Sequence, residues 1–137
     1  MNMKALPAVA VTEHLAAVFA GAPTVPPAVA GMCDALLMDW TGLCVAARKT
    51  DYVQAAVRAT GEPGLCTMIG HAGRFNPATA ALCNGIAAHG EDYDDTFEGG
   101  PIHAGAVIIP AVLAAVEQHA LAGADLVRGI AVECEVM

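Results

Sequence analysis

Five carboxylates fall within eight residues of this chain, Glu91, Asp92, Asp94, Asp95 and Glu98, with His89 before them and His103 after. A carboxylate beside an imidazole orients it and tunes it for proton transfer, and a nearby hydroxyl such as that of Thr96 can hold a substrate oxygen. If the preceding helix continues through the stretch, His89, Asp92 and Thr96 share one face at i, i+3 and i+7, while Glu91 and Asp95 share another. The competing reading is a solvated acidic helix end. Negative charge at a helix C-terminus costs roughly a few tenths of a kcal/mol per group, which tilts the balance toward a functional reason for the cluster.

Two other chemistries have candidate residues in the chain. Asp94-Asp95-Thr96-Phe97-Glu98 fits the DDxxD/E pattern with which terpenoid synthases bind magnesium, since carboxylates at i and i+4 can share hydrated ions. Such enzymes need an aromatic-lined pocket, and only 4% of this chain is aromatic. No metal and no cofactor is therefore assigned. The five cysteines, Cys33, Cys44, Cys66, Cys83 and Cys134, form no CxxC pair and read as reduced, mostly buried thiols. None is visibly paired with a histidine as a nucleophile would be.

The elements that must position these groups are helical. A first helix starts with Thr12 as N-cap and runs to about Ala20, where Gly21-Ala22-Pro23 ends it. After Pro26-Pro27, a long amphipathic helix from Ala28 to about Ala47 sets Ala30, Cys33, Leu37, Trp40, Cys44 and Ala47 on one face, with Arg48-Lys49 at its negative end. Asp51 caps a further helix that stops at Thr60-Gly61, before the turn Glu62-Pro63-Gly64. One short strand fits near 65–69. Asn76-Pro77 signals the start of the helix that carries Ala80, Cys83, Ala87 and Ala88 into the acidic stretch. Gly99-Gly100-Pro101 then forces a loop. Another helix follows from about Ala104 to Leu121, with Pro110 starting its regular part or kinking it, and a last one begins near Asp125 and is unfinished at Met137.

Composition sets the frame. A chain of 137 residues fits a single domain, here 1–137, in which roughly 70% of the unfolded surface can be buried. Apolar residues make up 56%, mostly Ala, Val, Leu and Met, which suits an all-α helical bundle better than a β-sandwich. Six Lys and Arg against fourteen Asp and Glu give a formal charge of −8, so nucleic acid is not an expected partner. Glu13 and His14 interrupt the apolar N-terminal run, Asp34 and Asp39 interrupt the long helix, and the run 104–116 is too short to cross a bilayer. The expectation is a cytoplasmic protein with no membrane partner.

The whole string from Ala81 to Thr96 (Ala-Leu-Cys-Asn-Gly-Ile-Ala-Ala-His-Gly-Glu-Asp-Tyr-Asp-Asp-Thr), followed by His103-Ala-Gly-Ala-Val-Ile-Ile-Pro-Ala111, closely resembles the MmgE/PrpD family. That family contains 2-methylcitrate dehydratase, cis-aconitate decarboxylase and an iminodisuccinate epimerase. Asp39-Trp40-Thr41-Gly42, Phe75-Asn76-Pro77 and the stretch from Gly123 to Val136 agree as well. The resemblance implies the N-terminal part of a larger helical domain, an active site shared with a smaller α/β domain, and a dimer. It places Asp92, Thr96 and His103 on active-site positions: His103 as general acid/base or carboxylate-binding group, Asp92 orienting the polar network, Thr96 donating a hydrogen bond. His89 matches a motif position and reads as structural. Ala104 stands where the family has proline, the loop before His103 is a residue longer than in some members, and the family's members are much longer than this chain.

The resemblance therefore implies a subunit or fragment of a lyase or isomerase. It would act by proton transfer on a small carboxylate, through dehydration, decarboxylation or epimerisation, as a homo-oligomer or with a second chain that carries the rest of the fold. The alternatives are a non-catalytic helical interaction domain or remnant, and a repurposed short isomerase or cyclase acting on a less anionic substrate, for which the shortage of cations is the only argument.

Overall fold

The computed structural model describes residues 10–21, 24–59 and 63–137. Among these, six helices and one short strand follow in the order α1 (Val11–Ala20), α2 (Pro27–Ala47), α3 (Asp51–Ala59), β1 (Pro63–Cys66), α4 (Pro77–His89), α5 (Ala104–Gln118) and α6 (Gly123–Val136). The all-α expectation holds. The proposed stops at Ala22-Pro23 and Thr60-Gly61 lie outside the described residues, except for Gly21, which caps α1 through its N–H to Phe19 O.

Helix α4 is the central element. It packs most extensively on α5 and also meets α2, α3 and β1. Its contact face is built from small side chains, Ala80, Cys83, Ala87 and Ala88, so that neighbouring backbones come close. The main core gathers Cys33, Trp40, Cys44 and Ala47 from α2, Val53 from α3, Ala87 and Ala88 from α4, Ile108 and Ile109 from α5, and Ile130 from α6. The face expected for the long helix is therefore the buried one, with Ala30 and Leu37 half-buried at its margin. By length and composition α2 is long and apolar enough to cross a membrane. Here its buried stripe is in contact with α4, α5 and α6.

Several boundaries are set by capping. Asn76 accepts a hydrogen bond from Thr79 N at 2.8 Å, with Pro77 at the first helical position, as the sequence indicates. Thr12 is not a cap: α1 begins one residue earlier, after Ala10. Asp51 lies in the first turn of α3, while Thr50 precedes it and accepts the Gln54 N–H at its carbonyl. Helix α6 starts at Gly123, two residues before Asp125, because the Asp125 carboxylate reaches back to accept from Ala122 N at 2.9 Å.

Helix α5 keeps Pro110 inside, buried, and ends three residues short of Leu121 in a Schellman turn. Leu121 N–H reaches Val116 O at 2.9 Å and Ala120 N–H reaches Glu117 O at 3.2 Å, with Ala120 in the left-handed region at φ 52°.

The strand is displaced from its expected place. It covers Pro63–Cys66 and bridges to Phe75, so Pro63-Gly64 begin a strand edge instead of forming a turn. Proline is tolerated there because the first residue of an edge strand has no ladder bond to donate. The following residues 67–69 are tied to α4 by Asn84, which is fully buried. Its Oδ1 accepts from Ile69 N at 2.8 Å and its Nδ2 donates to Thr67 O at 2.9 Å.

Candidate functional site

Helix α4 ends at His89. Gly90 closes it with an N–H to Ile86 O at 3.0 Å, and a Cβ at Gly90 would overlap the Tyr52 ring of α3. The chain then turns at Asp92, whose φ of 58° is a left-handed conformation that aspartate tolerates better than most side chains. The acidic stretch is thus a loop, and the shared helical face expected for His89, Asp92 and Thr96 does not form. A close turn within 97–102, with Phe97 N–H to Ile102 O at 2.9 Å, brings the chain back so that His103 stands at the head of α5.

This path sorts the carboxylates. Glu91 accepts a hydrogen bond from the Tyr52 hydroxyl at 2.9 Å. Burial, opposed by Thr50 and reinforced by Glu91, pushes that hydroxyl above the usual tyrosine range, so it remains a donor. Asp95 accepts from Gly105 N with its two oxygens, at 3.0 and 3.2 Å. It caps the positive end of α5 from a distance, and a Cβ at Gly105 would overlap its carboxylate. Asp94 and Asp95 therefore point to different tasks, and no shared site forms along the Asp94–Glu98 spacing.

Asp94 is the centre of the cluster. Its side chain is 2% exposed and stands 3.1 Å from His89 Nδ1 through both oxygens and 3.3 Å from His103 Nδ1 through Oδ1. The His103 contact has ion-pair distance without hydrogen-bond alignment, and His103 Nδ1 is buried with no hydrogen-bond partner. On its other side, His103 Nε2 lies 3.7 Å from Asp92, whose side chain is 79% exposed. The two imidazoles sit with ring centroids 4.8 Å apart, tilted by 57°. Both line a cavity of about 480 Å³ with Gly85, Ile86, Gly90, Ala106 and Val107.

The structure thus brings His103 and Asp92 together. Thr96 lies elsewhere: it is exposed and lines a neighbouring cavity of about 540 Å³ with Asp95, Phe97, Ile102, Ala104, Cys134 and Met137. His89, read from the sequence as structural, is half-exposed on the same carboxylate as His103. Charge clustering alone does not single out Asp94 among the five acidic residues. Its signal is positional: it is the carboxylate five residues after one histidine and nine before the other.

The thiols take no part in this cluster. Cys33, Cys44, Cys66 and Cys83 are buried and Cys134 is exposed, and the five form no disulfide. Burial pushes Cys44 up to about 12, far from a thiolate at neutral pH.

Comparison with known proteins agrees with the resemblance. A cis-aconitate decarboxylase from Aspergillus terreus is 32% identical over 84 residues, which is 61% of this chain and 17% of that protein. A cis-aconitate decarboxylase-like protein from Aspergillus oryzae is 30% identical over 96 residues, 68% of this chain and 20% of the relative. The matched region is about a fifth or less of the length of these curated relatives. No solved structure matches. The family model described as the MmgE/PrpD N-terminal domain matches residues 13–137, and the chain belongs to that family.

Proposed function

We propose that this chain supplies the proton-handling side of a lyase or isomerase site acting on a small carboxylate. The observation that carries the reading is the placement of His103 at the cavity wall, with Asp94 behind its Nδ1 at 3.3 Å and Asp92 at 3.7 Å from its Nε2. The negative charge of Asp94 beside Nδ1, at ion-pair distance and not as an aligned hydrogen bond, favours the tautomer that carries its proton there, and the lone pair is then on Nε2, on the side of the exposed Asp92. Nε2 takes a proton from the carbon next to a substrate carboxylate, and the electron pair left behind spreads into that carboxylate as an enolate-like species. Loss of a β-hydroxyl, which leaves with a proton as water, or reprotonation on the other face then completes the reaction; in decarboxylation the electron pair comes instead from the carboxylate that departs as carbon dioxide, and the protonated imidazole gives its Nε2 proton to the carbon that takes up the pair.

The printed activity of the relatives, cis-aconitate decarboxylation, makes cis-aconitate the first substrate to try. Thr96 serves the same chemistry only by donating to a substrate that extends past the loop into its own cavity. The cavity walls bring apolar and imidazole groups but no Lys or Arg, so the grip on substrate carboxylates comes from a second subunit or a complementary chain. Exposed Met32 and Met38 on α2, and Phe97 and Ile102 beside the site, are suited to covering by such a partner.

The test is carbon dioxide release and deuterium incorporation from cis-aconitate in D₂O. It compares the chain alone, the chain with the product of its neighbouring reading frame, and the same pair with His103→Ala. The expected result is turnover by the pair that His103→Ala lowers by about 100-fold or more. No gain from the partner together with no effect of His103→Ala refutes the proposal.

A further inference from the structure

We propose that His89, Asp94 and His103 form a binding site for a borderline divalent transition-metal ion such as Zn²⁺. Zinc holds nitrogen and carboxylate oxygen at about 2.0–2.1 Å, so two ligands of a tetrahedral ion stand about 3.3 Å apart. His89 Nδ1 lies 3.1 Å and His103 Nδ1 3.3 Å from the Asp94 carboxylate. Each imidazole thus already stands one tetrahedral edge from the shared carboxylate, and one donor atom from each of His89, Asp92, Asp94 and His103 falls within 4.8 Å of all the others.

Three further observations point to a cation at this place. His103 Nδ1 is buried and lacks an aligned hydrogen bond, although a carboxylate oxygen lies at 3.3 Å. It presents a donor atom that the fold itself does not satisfy. Asp94 is almost fully buried, and among the described residues its polar side-chain partners are the two imidazoles, with no Lys or Arg against it. A buried carboxylate needs positive charge or strong donors around it. The surrounding loop adds Glu91, Asp92, Asp95 and Glu98 in a chain of net charge −8, so the local field draws cations in.

The donor set selects among cations. Two imidazole nitrogens and one carboxylate suit zinc and its neighbours in the first transition row, whereas magnesium and calcium take oxygen ligands. This is a different set from the carboxylates of Asp94–Glu98. Asp92 faces the other nitrogen of His103, at 3.7 Å, and so stands outside the three-donor face. The fourth position is left to water or to a ligand entering the cavity that both histidines line.

Binding has a consequence that rests on the proton-transfer reading. An ion on Nδ1 of His103 takes that lone pair and moves the imidazole proton to Nε2, next to Asp92. The residue then has no lone pair to accept a substrate proton, so the metal-loaded site is silent as a base and zinc is an inhibitor of the proposed turnover.

The test is made on the full chain, without reference to activity. Calorimetry with Zn²⁺ and visible spectroscopy with Co²⁺ are run on the parent protein and on His89→Gln, Asp94→Asn and Cys134→Ser, each checked for helix content by circular dichroism. The expected result is one equivalent of Zn²⁺, an intense tetrahedral-type Co²⁺ spectrum, at least tenfold weaker binding in His89→Gln and Asp94→Asn, and no change in Cys134→Ser. Binding that follows Cys134, a weak octahedral-type Co²⁺ spectrum, or affinity unchanged by His89→Gln overturns the site. His89→Gln keeps the fold testable if Asp94→Asn unfolds. Failure here leaves the turnover experiment standing, and failure of turnover leaves this titration readable.

Discussion

Replacing Asn84 by alanine is expected to lower the stability of the domain by about 2–3 kcal/mol. Asn84 is fully buried on α4 and ties the segment after β1 to that helix with two hydrogen bonds, from Ile69 N at 2.8 Å and to Thr67 O at 2.9 Å. Alanine leaves a half-buried N–H and a half-buried C=O without partners. At roughly 1–1.5 kcal/mol for each lost bond the sum is about 2–3 kcal/mol. Set against a total of about 5–15 kcal/mol for a domain of ordinary stability, the change is large enough to move a urea midpoint by about 1 M. Asn84→Asp keeps the acceptor for Ile69 N but turns a carboxylate oxygen toward Thr67 O, so it costs more than alanine. Urea unfolding followed by circular dichroism gives the free energies, and amide exchange at Ile69 reports the local tie. A loss under about 1 kcal/mol, or unchanged exchange at Ile69, refutes the assignment of Asn84 as the bolt between these segments.

Two more expectations concern α5. Burial alone raises the Glu117 carboxyl, but the Thr67 hydroxyl and N–H and the Arg74 guanidinium, at 2.8 Å, outweigh it and hold the folded value below 4.5. A depressed folded pKa contributes stability that is present above the unfolded value near 4.5 and lost as pH falls through the folded one. Glu117→Gln should therefore flatten the decline of stability as pH falls through and below about 4.5, by up to one proton's worth of slope, in urea titrations; parallel curves for parent and variant would contradict this. At the end of α5, Ala120 occupies the left-handed position of a Schellman turn at φ 52°. Ala120→Gly removes the Cβ strain and should stabilise the protein by about 0.5–1 kcal/mol in the same assay, and a destabilising effect would count against the turn.

How much was legible in the sequence depends on whether the signal was local. The α2 stripe of Cys33, Trp40, Cys44 and Ala47 and the Asn76-Pro77 cap need only helical spacing and one side chain, and both stand in the structure. The end of α4 was legible too, since Gly90 follows His89, yet a helix carried on to Thr96 was the frame in which the carboxylates were sorted. With the helix stopped at His89, spacing no longer says which carboxylate meets which histidine. Asp94 is buried because the 97–102 turn returns His103 to the end of α4, a contact between elements that no periodicity encodes. Thr96 shows the same limit from the other side. It shares the motif with Asp92 and His103 but faces a different cavity, because the loop reverses between them.

The charge balance around the site ties the two proposals together. On the proposed reading the cluster of Asp92, Asp94 and two imidazoles handles protons, but a substrate with several carboxylates is repelled by Asp92 and the neighbouring Glu91 unless positive charge is brought in. Three of the chain's four arginines are engaged elsewhere. Arg74 is held by Glu117 and Thr67, Arg128 donates to Phe19 O and Ala20 O at the end of α1, and Arg48 donates to Val45 O at the end of α2. Among the described residues no Lys or Arg lines the cavity, and the two proposals name two sources of positive charge, a partner's Lys or Arg and a metal ion on the histidines. The two sources act in opposite ways on His103. If the proposals hold, a partner's cation would leave its lone pair free and raise turnover, whereas zinc would occupy it and lower turnover. Adding Zn²⁺ to the partnered enzyme therefore separates them, and activation by Zn²⁺ would show that His103 is not the base.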